Sequence, residues 1–366
     1  MTREELLALN IFVPNGNISR KIKEAWNKVA KPLDGLGKLE TMICRIGAAQ
    51  DCVVPEISPR AVLVMCADNG IVREGVSQSG QEVTLAVAHN MGRLKSSVCK
   101  MARIARAEVI TVDIGINSGE EIPGVLDRKV CPGTRDFLEE PAMTEEEVLQ
   151  AVETGILMVK DCAERGIRIL ATGEMGIGNT TTSTAVTAAI LGLPAKEITG
   201  KGAGLSEGGI CHKAEVITKG LLKYGFEKRC GETDDRQAER ERCLKILQCV
   251  GGLDIAGLCG VFIGGALYHV PVVIDGLISA AAALCADGIV PGCREFMLAS
   301  HAGAETGMEY ILQHLGLTEV IRADLALGEG TGAVMLFPLL DMAMEVFRGS
   351  STFEEIGVEQ YRRHGS

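Results

Sequence analysis

Aromatic side chains are scarce. One Trp, four Tyr and eight Phe make up 4% of 366 residues, so the core must be built from Ala, Val, Ile, Leu and Gly. Like charges never run in blocks, and the net charge is -11. That argues against nucleic acid or an anionic membrane surface as the main partner. It leaves room for a local cationic pocket that takes one phosphate. None of the thirteen cysteines belongs to a Cys-x-x-Cys pair, so a zinc or thioredoxin-like reading has little support. Thiols inside apolar runs, as in Val64-Met65-Cys66, fit buried small hydrophobes in a reducing cytosol. The first ten residues are charged and lack the apolar stretch of a signal peptide. These features point to a cytoplasmic protein.

One apolar stretch, 255–274, is long enough to span a bilayer. Pro271 interrupts it, Asp254 and Asp275 bracket it, and no Lys or Arg flanks it. A buried helix followed by a buried strand accounts for it better.

Apolar residues make up 46% of the chain, enough for one large domain and a small one. Forty-four glycines in so apolar a sequence indicate tight loops and close backbone approaches, not disorder. Short apolar runs bounded by turn residues predict strands at 61–67, 108–114, 167–171, 270–274 and 296–299. Helical patterns fill the intervals at 81–106, 145–165, 179–191, 208–224 and 240–268. Thr144 and Glu147 form a capping-box signature before the second of these. The alternation predicts a doubly wound α/β domain with a mostly parallel, Rossmann-like sheet over 51–329. Residues 1–50 and 330–366 read as helical, and are expected to form a small domain from both chain ends. The charged segment 227–242 reads as a solvated loop or helix start.

Several β-runs end in a polar residue beside a glycine or small residue. These are Asp68-Asn69-Gly70, Asp113-Ile114-Gly115, Gly173-Glu174, Asp275-Gly276 and Ser300-His301. Each alone is an ordinary turn or cap. In an open parallel sheet, however, ligands bind beyond the carboxyl ends of the strands, so together these residues should converge on one rim.

The sharpest local signal is Gly173-Glu174-Met175-Gly176-Ile177-Gly178-Asn179-Thr180, after a strand and at the start of a helix. Glycines let backbone amides approach an anion, and a helix N-terminus adds partial positive charge. No Lys-Ser/Thr follows, so it is not a Walker A loop. The spacing Gly-x-x-Gly-x-Gly is not the dinucleotide fingerprint either. A second run, Gly200-Lys201-Gly202-Ala203-Gly204, lies close behind, with Lys213 one helical stretch later. Two glycine loops and a lysine suit a monophosphate, although each loop alone is equally a plain turn. A third signal is Leu327-Gly328-Glu329-Gly330, an acid between glycines before an apolar helix. A carboxylate held in an apolar pocket is a candidate proton acceptor near neutral pH. The bland alternative is an N-cap acid for the following helix.

With these residues in view, the sequence resembles the nicotinate-nucleotide–dimethylbenzimidazole phosphoribosyltransferase family over nearly its whole length. The blocks that carry the resemblance begin with Lys31-Pro32-Leu33-Asp34-Gly35-Leu36-Gly37-Lys38-Leu39-Glu40. They continue with Ala67-Asp68-Asn69-Gly70, Gly75-Val76-Ser77 and Gln81-Glu82-Val83-Thr84. Blocks at 173–182, 202–205, 275–283, 300–307 and 327–333 complete the series. The resemblance implies a six-stranded parallel sheet, a homodimer or a heterodimer with a homologous subunit, and no cofactor or metal. It implies Glu329 as general base, with Glu174 beside it. Gly173, Gly176, Gly178, Asn179, Thr180, Gly202, Ala203, Gly204 and Lys213 would hold the nucleotide and its phosphate. Ser79, Gly80, Gln81, Met175 and Leu327 would line the base pocket. The substrates implied are nicotinate mononucleotide and an aromatic base.

Three blocks depart from the family pattern. The usual aspartate-histidine-glycine is Asp68-Asn69-Gly70, an aromatic-proline pair is replaced by Ser79-Gly80, and Met308 replaces a histidine. Ser79-Gly80 leaves a second acceptor open, a phenol or p-cresol, as in relatives that work with a homologous partner. Two other classes compete. An oxidoreductase should carry the dinucleotide fingerprint in its first βα turn, which is absent. A non-catalytic paralogue should have lost Glu329 or the loop at Gly173, and both are present.

Overall fold

The computed structural model describes residues 1–202, 204–227 and 235–362. Its centre is a sheet of six parallel strands: β1 (Arg60–Ala67), β2 (Glu108–Gly115), β3 (Leu126–Asp127), β4 (Ile169–Met175), β5 (Val272–Ile274) and β6 (Met297–Ala299). Their order is β3-β2-β1-β4-β5-β6. The chain therefore builds outward from β1 in one direction and from β4 in the other, the doubly wound arrangement. Its switch point lies between β1 and β4. Two further strands, β7 (His301–Gly303) and β8 (Ile321–Leu325), pair in parallel apart from the main sheet.

Side chains of a strand alternate between faces, and β1 shows what this does. Ala61, Leu63, Met65 and Ala67 enter one hydrophobic cluster with the helices Glu145–Glu164, Leu253–Leu267 and Leu277–Ile289. Val62, Val64 and Cys66 enter a second, with Gly16–Lys28, Lys38–Ala49, Ser97–Ile104 and Thr331–Gly349. The helices from both chain ends thus pack on the sheet's second face and share its cluster. Val29 and Thr352 form an antiparallel bridge. Trp26, wholly buried, lies 4.9 Å from the Phe347 ring centroid. Leu6 and Leu7 belong to the first cluster, so the opening helix Arg3–Ala8 sits on the other face.

The shortage of aromatics is met by close helix contact. Glu145–Glu164 and Leu253–Leu267 approach so closely that a Cβ on Gly260 would collide with the Val152 carbonyl oxygen. The apolar stretch 255–274 is a buried helix and a buried strand, and no helix among the described residues is long and apolar enough to cross a membrane.

The predicted strands and helices differ from the observed ones in instructive places. The capping box of Thr144 and Glu147 forms as expected. The helix expected over 81–106 is two, Glu82–Gly92 and Ser97–Ile104, because Leu94 takes a left-handed backbone with φ 55°. The helix expected over 240–268 breaks at Gly251 and Gly252. β4 runs on to Met175, so Gly173, Glu174 and Met175 belong to a strand and not to a loop. Of the charged segment, 228–234 lies outside the described residues, and Arg236–Val250 is helix, capped by Asp235.

Candidate active site

A cleft of about 260 Å³ opens at the carboxyl ends of β4, β5 and β6. Of the strand-end residues, Glu174, Asp275 and His301 line it. Asp113 does not. Its carboxylate accepts the N–H groups of Gly115 and Ile116 at 3.1 and 2.8 Å and pairs with Lys129, which makes it a turn acid. Asp68 likewise spends one oxygen on the N–H of Asn117 at 2.8 Å, away from the cleft.

Glu329 faces the cleft from a turn of three consecutive left-handed residues, Gly328, Glu329 and Gly330, with φ of 81°, 60° and 93°. A non-glycine residue in that region costs about 1–3 kcal/mol and persists only where its surroundings over-determine it. The surroundings here are two buried acids. Glu174 lies against the turn, with its Oε1 2.8 Å from where a Cβ on Gly328 would stand. Asp275 accepts the N–H groups of Gly330 and Ala333, at 3.1 and 2.9 Å, and so caps the helix Thr331–Gly349. The cap of that helix is therefore Asp275. Glu329 caps a different helix, accepting the N–H of Val98 at 3.1 Å in Ser97–Ile104.

Glu174 is almost wholly buried. Burial pushes its carboxyl up to about 8, helped by the charges of Asp254 and Asp275 and opposed by a hydrogen bond from Asn179. Asp254, at the head of the apolar helix Leu253–Leu267, is raised to about 6, again by burial first. The Asn179 side-chain amide donates to both carboxylates, to Asp254 at 3.0 Å. One amide cannot neutralise two buried charges, so the pair favours holding a proton.

The second glycine loop and Lys213 meet behind Thr180, with Gly202 and Thr180 on the cleft wall. Lys213, in the helix Glu207–Tyr224, is fully buried, and its Nζ donates to Thr180 Oγ1 at 2.9 Å. Burial lowers its pKa to about 8, against the charge of Glu305. Gly202 lies beside it, since a Cβ there would stand 3.4 Å from Nζ.

Of the expected nucleotide residues, Gly176, Gly178, Asn179, Thr180 and Gly202 line the cleft. Gly173, Gly204 and Lys213 do not, and Ala203 lies outside the described residues. Gly173 has another task. Its missing side chain lets the Glu329 carbonyl lie directly on β4, where any Cβ would collide with it. Of the expected base-pocket residues, Met175 and Leu327 line the cleft, whereas Ser79, Gly80 and Gln81 do not. The Gln81 amide is instead engaged with Asn69 and Asn117. Their neighbours Val76, Ser77 and Gln78 take that place. Ser79, from which a phenol acceptor was argued, does not line the cleft.

Sequence reasoning did not name Asp254 or Glu305 as site residues. A single acid at the head of a long apolar run was the available signal for Asp254. Glu305 lay within a matching block without a role. Among the described residues no cluster of His, Cys, Asp or Glu could hold a metal ion.

The sequence profile of the phosphoribosyltransferase family matches residues 11–358. The chain belongs to this family. Among its relatives is the nicotinate-nucleotide–dimethylbenzimidazole phosphoribosyltransferase of Ruminiclostridium cellulolyticum, 37% identical over 99% of both chains. The protein of the same name from Halalkalibacterium halodurans is 38% identical over 93% of this chain and 92% of its own. The solved structure of CobT from Thermus thermophilus superposes with a TM-score of 0.86 at 35% identity, covering 94% of this chain and all of the other. As a phosphoribosyltransferase, the chain keeps its acids and glycine loops at the switch-point end of the sheet.

Proposed function

We propose that this phosphoribosyltransferase moves the 5-phosphoribosyl group of nicotinate mononucleotide onto 5,6-dimethylbenzimidazole or a similar cobamide lower-ligand base, in the cytoplasm. The products are the α-riboside 5'-phosphate and nicotinate. The observation that carries this reading is that Glu329 and Glu174 share one cleft with the glycine loop after β4 and with Thr180, whose hydroxyl the buried Lys213 holds from behind.

The chemistry needs little more. The nicotinate ring is a pyridinium in the nucleotide. As its bond to C1 of the ribose breaks, the electron pair returns to the ring nitrogen and nicotinate departs with a neutral ring. A ring nitrogen of the base forms the new bond from the opposite face, which inverts β to α. The proton on the base's other nitrogen passes to the Glu329 carboxylate. Glu174, once ionised, stabilises the positive charge that develops on the sugar. Lys213 and the amides of the Gly176–Gly178 and Gly202 turns hold the phosphate. Met175, Ile177 and Leu327 supply apolar walls for the flat base.

The reading includes a dimer. Ser97–Ile104 and Thr331–Gly349 pack together and expose Ile104, Met335 and Met342, side chains that favour an interface. The test is an acceptor panel with nicotinate mononucleotide, comparing benzimidazoles, purines and phenols by product mass in excess chelator. A benzimidazole α-riboside phosphate is expected. Failure to form any riboside phosphate would sink the reading.

A further inference from the structure

Glu305 lies between β7 and the helix Gly307–Leu315, on the wall of the cleft. Its Oε1 accepts the backbone N–H of Gly202 at 3.0 Å. The carboxylate lies so close to this loop that a Cβ on Gly200 would collide with it. Its negative charge acts on Lys213 and opposes the effect of burial there. Glu305 therefore holds the amide that the reading above gives to the phosphate, and its charge acts on the lysine beside that amide.

A carboxylate and a phosphate cannot both take this amide. At hydrogen-bond separations two like charges in a partly desolvated cleft repel strongly. Nor is the carboxylate locked in place, because Glu305 is half-buried and flanked by exposed Ala304 and Thr306. A side-chain rotation would carry it off the loop.

We propose that Glu305 is an internal counter-anion of the nucleotide site, competing with the phosphate for the Gly202 amide beside Lys213. This rests on the phosphate assignment above and adds a selectivity to it. A ligand must bring enough charge to displace the carboxylate, so a monophosphate dianion binds, whereas an unphosphorylated riboside gains nothing on this side. Specificity is a difference of affinities, and an internal competitor lowers binding of every anion that replaces it poorly. The product carries the same phosphate, so the returning carboxylate also favours its release.

The experiment measures binding of ribose 5-phosphate and of nicotinate riboside to the full chain and to Glu305→Ala and Glu305→Gln. The alanine variant is expected to bind ribose 5-phosphate about 10-fold more tightly, the worth of one hydrogen bond to a charged group. Glutamine, which keeps the acceptor and loses the charge, tightens it less. Nicotinate riboside affinity and the Michaelis constant for the base stay where they are, which a merely structural role would not predict. Unchanged or weaker ribose 5-phosphate binding in both variants overturns the proposal. Lys213→Ala separates the two layers. If it weakens ribose 5-phosphate binding while the Glu305 variants fail to tighten it, the proposal alone falls. If it leaves that binding unchanged, the phosphate assignment falls as well.

Discussion

The Glu329 carboxylate accepts the backbone N–H of Val98 at 3.1 Å, across 231 residues of chain. Val98 is the second residue of the helix Ser97–Ile104, whose own N-cap Ser96 makes no side-chain cap and turns its hydroxyl to Cys99 instead. The helix thus fixes one oxygen of the acid, and the proposed proton transfer falls to the other. Glu329→Gln keeps the size and the acceptor for Val98 and removes the base. Turnover should drop about 10²–10⁴-fold, with little change in the Michaelis constant for the nucleotide. Steady-state kinetics decide this, and near-normal turnover would remove Glu329 from the mechanism.

In its proposed role Lys213 serves binding at the expense of stability. Among the described residues no salt bridge reaches its amine, and burial lowers it to about 8. Between about 8 and the ordinary lysine value the unfolded chain holds more protons than the folded one, so stability rises with pH across that window. At neutral pH the buried charge costs on the order of 1–3 kcal/mol. Lys213→Met should therefore raise the melting temperature near neutral pH and raise the nucleotide's Michaelis constant, leaving that for the base alone. Calorimetry and kinetics on the same preparation check both. A lower melting temperature with unchanged nucleotide binding would contradict both expectations together.

What the sequence disclosed follows from how local each signal is. The strand β1 is a continuous apolar run and reads directly, as does the helix Asn179–Leu191 after its glycines. β8 does not, because Ile321 to Leu325 carries Arg322 and Asp324 and is largely exposed. The site shows the same division. Glu329 stands out between glycines, and the loop after β4 reads as an anion site. Gly173 lies against the Glu329 carbonyl, and a glycine needed for such backbone contact looks the same in sequence as one needed for a phosphate. Asp254 and Glu305 act through partners 75 and 103 residues away, Asn179 and Gly202. Nothing in their own neighbourhoods records those contacts.

If Glu174 acts as proposed, it sets the reaction's pH dependence. Burial, then the charge of Asp254, places its carboxyl at about 8. Between the ordinary glutamate value and about 8 the folded chain holds the extra proton, so Glu174 is mainly neutral at neutral pH, and stability falls as pH rises across that window. If its ionised form stabilises the sugar cation, kcat/KM for the nucleotide rises with pH toward about 8. Loss of the Lys213 proton near the same pH pulls it down, which makes a narrow bell. Asp254→Asn removes the neighbouring charge without removing an acceptor for Asn179. The rising limb should then move to lower pH while the falling limb stays, so the bell widens on its acid side. Because the two acids share Asn179, the limb reports the pair, and the shift between the two proteins is the quantity to read. Profiles of kcat/KM for wild type and Asp254→Asn measure it. An acid limb that does not move would mean that Glu174 works as a neutral neighbour of the Glu329 turn and not as a charge beside the sugar.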